Sequence, residues 1–302
     1  MFAGPYLVAI LLAFGAAFAA ASHNLFIRFG TERGTTHDAF FVVMTISTLV
    51  LVPVVLILEY PSYGVTPISW VAFLAAGLFG TLFGMICLYG GIKTIGASRT
   101  TPIVASNALV ATVLGVLLLG ETITWIHAVG ILLIVIGIGV IGWETSHDNP
   151  DNLSRRALLL SLTLPFAAAF AFGWEPIFAN FGFAEGTPAT VGLAIKTAVA
   201  WAGFVVYLRL KGALPRPTSM HSSDLRWYVL AGIANTLFLL GYYLGLEIAP
   251  VNVVVPIIIT NSLFVVVLSA LVMPQRLERV TWRLIAAACV VVIGAMIVTA
   301  FA

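Results

Sequence analysis

The sequence predicts an all-α integral membrane protein, with ten transmembrane helices arranged as two inverted five-helix repeats. Three observations carry that expectation. Of the 302 residues, 61% are hydrophobic and only 9% are charged, far below the roughly 25% charge of a soluble domain. Apolar stretches of about 20 residues, enough to cross a bilayer, fill nearly the whole chain, and the short loops between them leave no room for a soluble domain. The two halves also align with one another at nearly constant offsets.

The apolar stretches place helices at 5–29, 38–58, 68–92, 99–119, 123–143, 156–181, 188–208, 225–247, 250–273 and 280–301. Between them fall turn-forming clusters such as Pro61–Ser62–Tyr63–Gly64, Asp148–Asn149–Pro150 and Gly186–Thr187–Pro188. Lipid offers the backbone no hydrogen-bond partners, so each crossing segment must satisfy itself as a helix. The alternating ten-residue strands of a β-barrel are not seen. The apolar stretch Met1 to Leu12 lacks the basic leader of a secretory signal and reads as the start of the first membrane helix.

Basic residues orient the bundle. Of the 14 Lys and Arg residues, all but Lys196 fall in or beside the loops after helices 1, 3, 5, 7 and 9. The positive-inside rule then puts those loops in the cytoplasm and both termini outside, in a multi-pass protein of the cell membrane.

Composition and motifs exclude several functions. The net charge of +2 comes without a basic block interleaved with aromatics, so no nucleic-acid partner is expected. Cys87 and Cys289 both lie in apolar stretches, which argues against a disulfide framework or a Cys-based metal site. No metal site, cofactor or catalytic residue is expected. There is no HExxH, G-x-S-x-G or Walker-type loop, and Asp38, Asp148, Asp151 and Asp224 all lie in loops or at helix ends.

The internal repeat adds a function class. At an offset of 152, Phe14, Ala16, Phe26, Phe29, Gly30, Gly34 and Thr45 meet Phe166, Ala168, Phe178, Phe181, Gly182, Gly186 and Thr197. At 154, Tyr89, Gly91, Pro102 and Asn107 meet Tyr243, Gly245, Pro256 and Asn261. The halves are 1–146 and 153–302. Five helices per half is an odd number, so the second copy must enter the membrane inverted. Inverted repeats are a recurring architecture of secondary transporters, with substrate bound near the midplane at the repeat interface.

With this five-plus-five pattern, the chain resembles the drug/metabolite transporter superfamily, and within it the ten-helix proteins built from two EamA-type domains. The segments that carry the likeness are LYGGIKTIGASRTTPIVASNALVATVLGVLLLGE and its partner YYLGLEIAPVNVVVPIIITNSLFVVVLSALVMPQ. The first ends in Gly120–Glu121, similar to the Gly-Glu that closes helix 4 in this family, whereas the second has Pro274–Gln275 there. The resemblance implies a central cavity lined by helices 1, 3, 4, 6, 8 and 9, and alternating-access transport of small metabolites. Many relatives keep both termini in the cytoplasm, opposite to the charge count here, so the direction of transport does not carry over.

Ionisable residues inside membrane helices point to function or to a partner. Glu175 and Lys196 each lie roughly 12–14 Å from the same end of the bundle, at 1.5 Å per residue. They form either a structural pair locking two helices or a substrate or coupling-ion site. Pro176 follows Glu175 and is expected to bend its helix. His23 aligns with Glu175 across the repeat and stands toward the other end. It either hydrogen-bonds a neighbour or takes part in proton coupling. Asn107 and Asn261 each follow a helix proline by five residues, and they either join helices or line a cavity. Trp174, Tyr89 and Tyr243 serve as packing or as cation–π walls. Gly80/Gly84 and Gly241/Gly245 read as close helix contacts.

The expectation is therefore a secondary transporter, not an enzyme. It moves small polar or amphipathic metabolites (amino-acid, amine or nucleotide-like) across the bilayer as a monomer or homodimer. Its substrate-binding residues are His23, Asn107, Trp174, Glu175, Lys196, Tyr243 and Asn261. The alternative is a flippase for a lipid-linked head group, which needs a cavity open sideways to the bilayer.

Overall fold

A computed structural model describes residues 4–119, 124–147, 155–212, 214–215, 221–248, 254, 257–274, 277 and 279–300. Among them the helices group into ten rods. These are α1 (Gly4–Gly30), α2 (Thr36–Leu58), α3 (Pro67–Ile95), α4 (Ala97–Val104 continued by Asn107–Leu114 and Gly115–Leu119) and α5 (Trp125–His147). In the second half come α6 (Arg155–Ala184), α7 (Ala189–Leu210), α8 (Ser222–Ile248), α9 (Asn261–Val272) and α10 (Trp282–Ala300). The expected start of the ninth helix at 250, the boundary between the halves at 148–152, and Gly120–Glu121 lie outside the described residues.

Seven of the rods, α1 to α4 and α6 to α8, are long and apolar enough to cross a membrane. Apolar stretches at Trp125–Ile141, Ile257–Val272 and Trp282–Ile297 are shorter. The chain is thus a multi-pass membrane protein of helices. Local chemistry sets the helix starts. Thr35 caps α2 by accepting from the Asp38 amide at 3.0 Å. Thr66 and Ser69 form a reciprocal capping box on α3, with Pro67 in its first turn.

Four features among the described residues depart from plain helices, one of them the π-helical Gly115–Leu119 that ends α4. The middle of α3, Ala76–Phe83, is wound as a π-helix. The expected loop between helices 3 and 4 is a single residue, Gly96, at φ 90°, a conformation nearly confined to glycine. Inside α4 the helix breaks at Ala105–Ser106, and α9 is preceded by a matching break at Thr260. At each break a hydroxyl donates back three residues, Ser106 Oγ to the Ile103 carbonyl at 2.6 Å and Thr260 Oγ1 to that of Ile257 at 2.5 Å. Pro102, whose ring nitrogen cannot donate, stands just before the first break.

The main helix pairings are unchanged when the first five rods exchange with the last five. The α1–α8 pair corresponds to α6–α3, α2–α8 to α7–α3, and α1–α9 to α6–α4, while α2–α7, α4–α9 and α5–α10 map onto themselves. The largest apolar core fills the end of the bundle that carries the odd-numbered loops. There Phe40 and Phe204 cross edge to face at 4.4 Å beside the fully buried Tyr89 and Tyr228.

Candidate functional site

Polar side chains gather where α1, α2, α3, α6, α7 and α8 meet. Glu175 on α6 and Lys196 on α7 form an ion pair, with side chains only 19% and 9% exposed. Lys196 Nζ donates to Glu175 Oε1, and Thr81 on α3 donates to Oε2 at 3.3 Å. The Lys196 ammonium also stands 5.8 Å from the centre of the Tyr243 ring on α8, within cation–π range. Tyr242 meets Tyr243 edge-on at 5.4 Å.

The π-helical stretch of α3 shapes this site. A Cβ on Gly80 would stand 2.7 Å from the Glu175 Cβ, and one on Gly77 would stand 2.6 Å from the Lys196 carbonyl oxygen. Gly80 is therefore more than the plain helix contact expected of it. Its missing side chain is the space that Glu175 occupies.

In the first half of the chain, His23 is buried on α1. Its Nδ1 lies 3.0 Å from the Ala231 carbonyl on α8, and its Nε2 lies 3.2 Å from the Tyr89 hydroxyl on α3. A carbonyl only accepts, so Nδ1 carries a proton toward Ala231, and in the neutral ring Nε2 accepts from Tyr89. In the sequence, His23 aligns with Glu175 at the offset of 152, and Tyr89 with Tyr243 at 154. The place of Lys196 is taken by Met44, which is buried in the apolar core. The second half thus carries an ion pair where the aligned positions of the first carry a histidine–tyrosine contact.

A third cluster lies midway along α2 and α8. Asn235 Nδ2 donates to Ser47 Oγ at 3.0 Å, Ser47 to Thr236 Oγ1 at 3.1 Å, and Thr236 to the Gly232 carbonyl at 2.8 Å. All three side chains are buried. Nearby, Trp201 on α7 donates to Thr45 Oγ1 on α2 at 2.9 Å. None of these groups stands out in the sequence, because hydroxyls abound in membrane helices and bond to their own backbone. One signal is available: Asn235 aligns with Thr81 at the offset of 154.

The remaining candidates lie elsewhere. Trp174 stacks on Phe178 at 5.4 Å and meets Phe170 edge-on, in an aromatic cluster with Phe79. Asn107 and Asn261 open the helical segments that follow the two breaks. A Cβ on Gly173, two residues before Glu175, would stand 3.0 Å from the main-chain carbonyl oxygen of Asn107. Asn261 Oδ1 accepts from Ser262 at 3.4 Å, and Ser262 Oγ also lies 3.3 Å from the Thr101 carbonyl, which links α9 to α4. The structure brings together Glu175, Lys196 and Tyr243. It sets His23 with Tyr89, and it places the two asparagines at the helix breaks.

Side chains tie both ends of the bundle across its halves. At the odd-loop end, Tyr228 donates to the Gly30 carbonyl at 3.0 Å, Arg28 reaches the Leu277 carbonyl, and Arg99 reaches that of Arg279 at 3.1 Å. At the even-loop end, Thr187 donates to the Gly64 carbonyl at 2.6 Å, Thr66 to Glu185 Oε2 at 3.0 Å and Thr190 to Glu59 Oε1 at 2.5 Å. Among the described residues no cluster of His, Cys, Asp and Glu is arranged to hold a metal ion.

Residues 7–143 match the EamA-like transporter family. No curated protein matches the chain. A solved crystal structure covers 97% of this chain and 96% of its own length, at 18% identity and a TM-score of 0.65. At that identity the likeness is one of fold.

Proposed function

We propose that this chain, whose residues 7–143 match the EamA-like transporter family, is a drug/metabolite-type secondary transporter of small polar or amphipathic metabolites working by alternating access. The substrates are amino-acid, amine or nucleotide-like compounds. In this reading all ten rods cross the cell membrane as two inverted five-helix repeats, 1–146 and 153–302, with both termini outside. The exchange symmetry of the helix pairing supports the repeat, and the distribution of basic residues supports the orientation.

The observation that carries the proposal is the Glu175–Lys196 pair, held deep in the bundle between two ends that are each tied across the halves. Ionisable groups at that depth are costly to keep. The paired broken helices α4 and α9 support the same reading, since discontinuous helices recur at transporter binding sites. His23, Asn107, Trp174, Tyr243 and Asn261 complete the proposed binding residues. The substrate enters when one set of ties opens, displaces part of the midplane network, and leaves when the other set opens.

The test is uptake by proteoliposomes holding the purified full-length chain, against a panel of amino acids, amines and nucleotides. At least one solute is expected to accumulate above protein-free vesicles, and Glu175→Gln is expected to abolish that uptake. Folded protein that moves no member of the panel overturns the proposal.

One observation favours the lipid flippase. An apolar groove of about 650 Å³ runs between α1 and α8 along Val8, Gly15, Ser22, Leu230, Leu237 and Gly241, open to the side. Transfer of a fluorescent lipid between leaflets of the same vesicles distinguishes this reading. Protein-dependent transfer without solute uptake decides for the flippase.

A further inference from the structure

We propose that the Glu175–Lys196 pair is a charge-matching filter, and that the ligand it admits is a compact zwitterion carrying an ammonium and an acid group. The inference rests on the transporter reading above and narrows its substrate class.

The pair is neutral as a unit, with one carboxylate, one ammonium and little solvent at either side chain. The groups facing it are uncharged. On α3 they are Gly77, Gly80 and Thr81, and on α8 the rings of Tyr242 and Tyr243. Among the described residues, no further ion faces the pair to neutralise a charge left behind when it opens.

Three kinds of ligand can enter such a site. A monocation takes Glu175 and strands the Lys196 ammonium in an apolar interior. A monoanion takes Lys196 and strands the Glu175 carboxylate. Each leaves a buried charge unpaired, the outcome that makes a broken buried ion pair so destabilising. A zwitterion opens the pair and leaves no charge stranded, because its ammonium meets Glu175 while its acid group meets Lys196. The surroundings suit that exchange. The Lys196 ammonium now rests between the Glu175 carboxylate and the face of Tyr243, a carboxylate-and-ring seat that fits any ammonium. Thr81 already steadies the other carboxylate oxygen.

The repeat supplies an internal contrast. At the equivalent positions His23 stands for Glu175 and Met44 for Lys196, so the related site has no ion pair to exchange. Both charges of the ligand therefore engage the second half of the chain.

The test measures binding to the detergent-purified full-length protein by thermal shift, confirmed by calorimetry. Two matched sets of ligands serve as probes: leucine with isoamylamine and 4-methylpentanoate, and phenylalanine with phenethylamine and 3-phenylpropanoate. In the wild type, at least one zwitterion is expected to bind ten-fold or more tighter than its amine and its acid. Lys196→Met is expected to lose that preference and gain ten-fold for the amine, and Glu175→Gln to gain for the acid. Glu175→Asp and Lys196→Arg keep the charges and are expected to keep the zwitterion preference. A wild type that binds the amine or the acid as tightly as the zwitterion overturns the filter, whether or not the variants fold. So does Lys196→Met with zwitterion binding unchanged. If the vesicles transport some other metabolite while the wild type binds neither zwitterion, the filter fails and the transporter reading stands. If zwitterions bind as expected but nothing is transported, the transporter reading fails alone.

Discussion

Glu175 and Lys196 sit at a depth where neither charge is tolerable alone. Removing one partner of a buried pair typically costs about 3–5 kcal/mol, because the other is left uncompensated. Glu175→Gln and Lys196→Met are each expected to lower the unfolding free energy by about 3 kcal/mol. The double variant should lose less than the sum of the two, and reversible denaturant unfolding in micelles measures all three. A double variant that loses the full sum would show that the two side chains act independently. The neutral counterpart is softer. Tyr89→Phe removes the hydroxyl that His23 Nε2 accepts from, and a lost buried hydrogen bond costs about 1–2 kcal/mol. The same unfolding experiment should show that smaller loss.

At the scale of elements, α3 is the rod that serves both sites. Its π-helical stretch presses Gly77, Gly80 and Thr81 against the ion pair, and Tyr89 reaches His23 further along. Gly80→Ala pushes a methyl group into Glu175, and overpacking of this kind costs about 1–3 kcal/mol. Gly139 on α5 has open space around its Cβ position, so Gly139→Ala should cost nothing and serves as the control. Thermal melts of the two variants test the difference; equal melting points would contradict it. Gly96→Ala, at φ 90° between α3 and α4, is expected to cost about 1–3 kcal/mol through backbone strain alone.

The elements also show what a sequence makes legible. Helix positions were readable to within a few residues because hydropathy in lipid follows directly from composition. Glu175 and Lys196 were readable because charges are rare in apolar stretches and these two share a depth. The partnership of His23 with Tyr89 was not, since it depends on which faces of α1 and α3 meet. The π-helical turn and the Ser47–Asn235–Thr236 relay were hidden for the same reason. A wide turn is fixed by the neighbours packed against it, and a hydroxyl looks alike whether it bonds its own helix or another.

Across the whole molecule, side chains among the described residues tie the two halves to each other at both ends of the bundle. Tyr228, Arg28 and Arg99 reach across at one end, and Thr187, Thr66 and Thr190 at the other. The proposed orientation puts both termini outside, so epitope tags at either end are expected to be labelled on intact cells. Labelling only after permeabilisation would reverse the orientation.

Alternating access requires the two sets of ties to open in turn, so locking one set must stop the cycle. Thr66 and Glu185 face each other at 3.0 Å across the halves, and cysteines at both positions can be joined by a short reducible thiol cross-linker. Uptake by vesicles of the doubly substituted protein is expected to fall to background on cross-linking and to return when the link is reduced. Fully cross-linked protein that transports at its original rate would contradict the account.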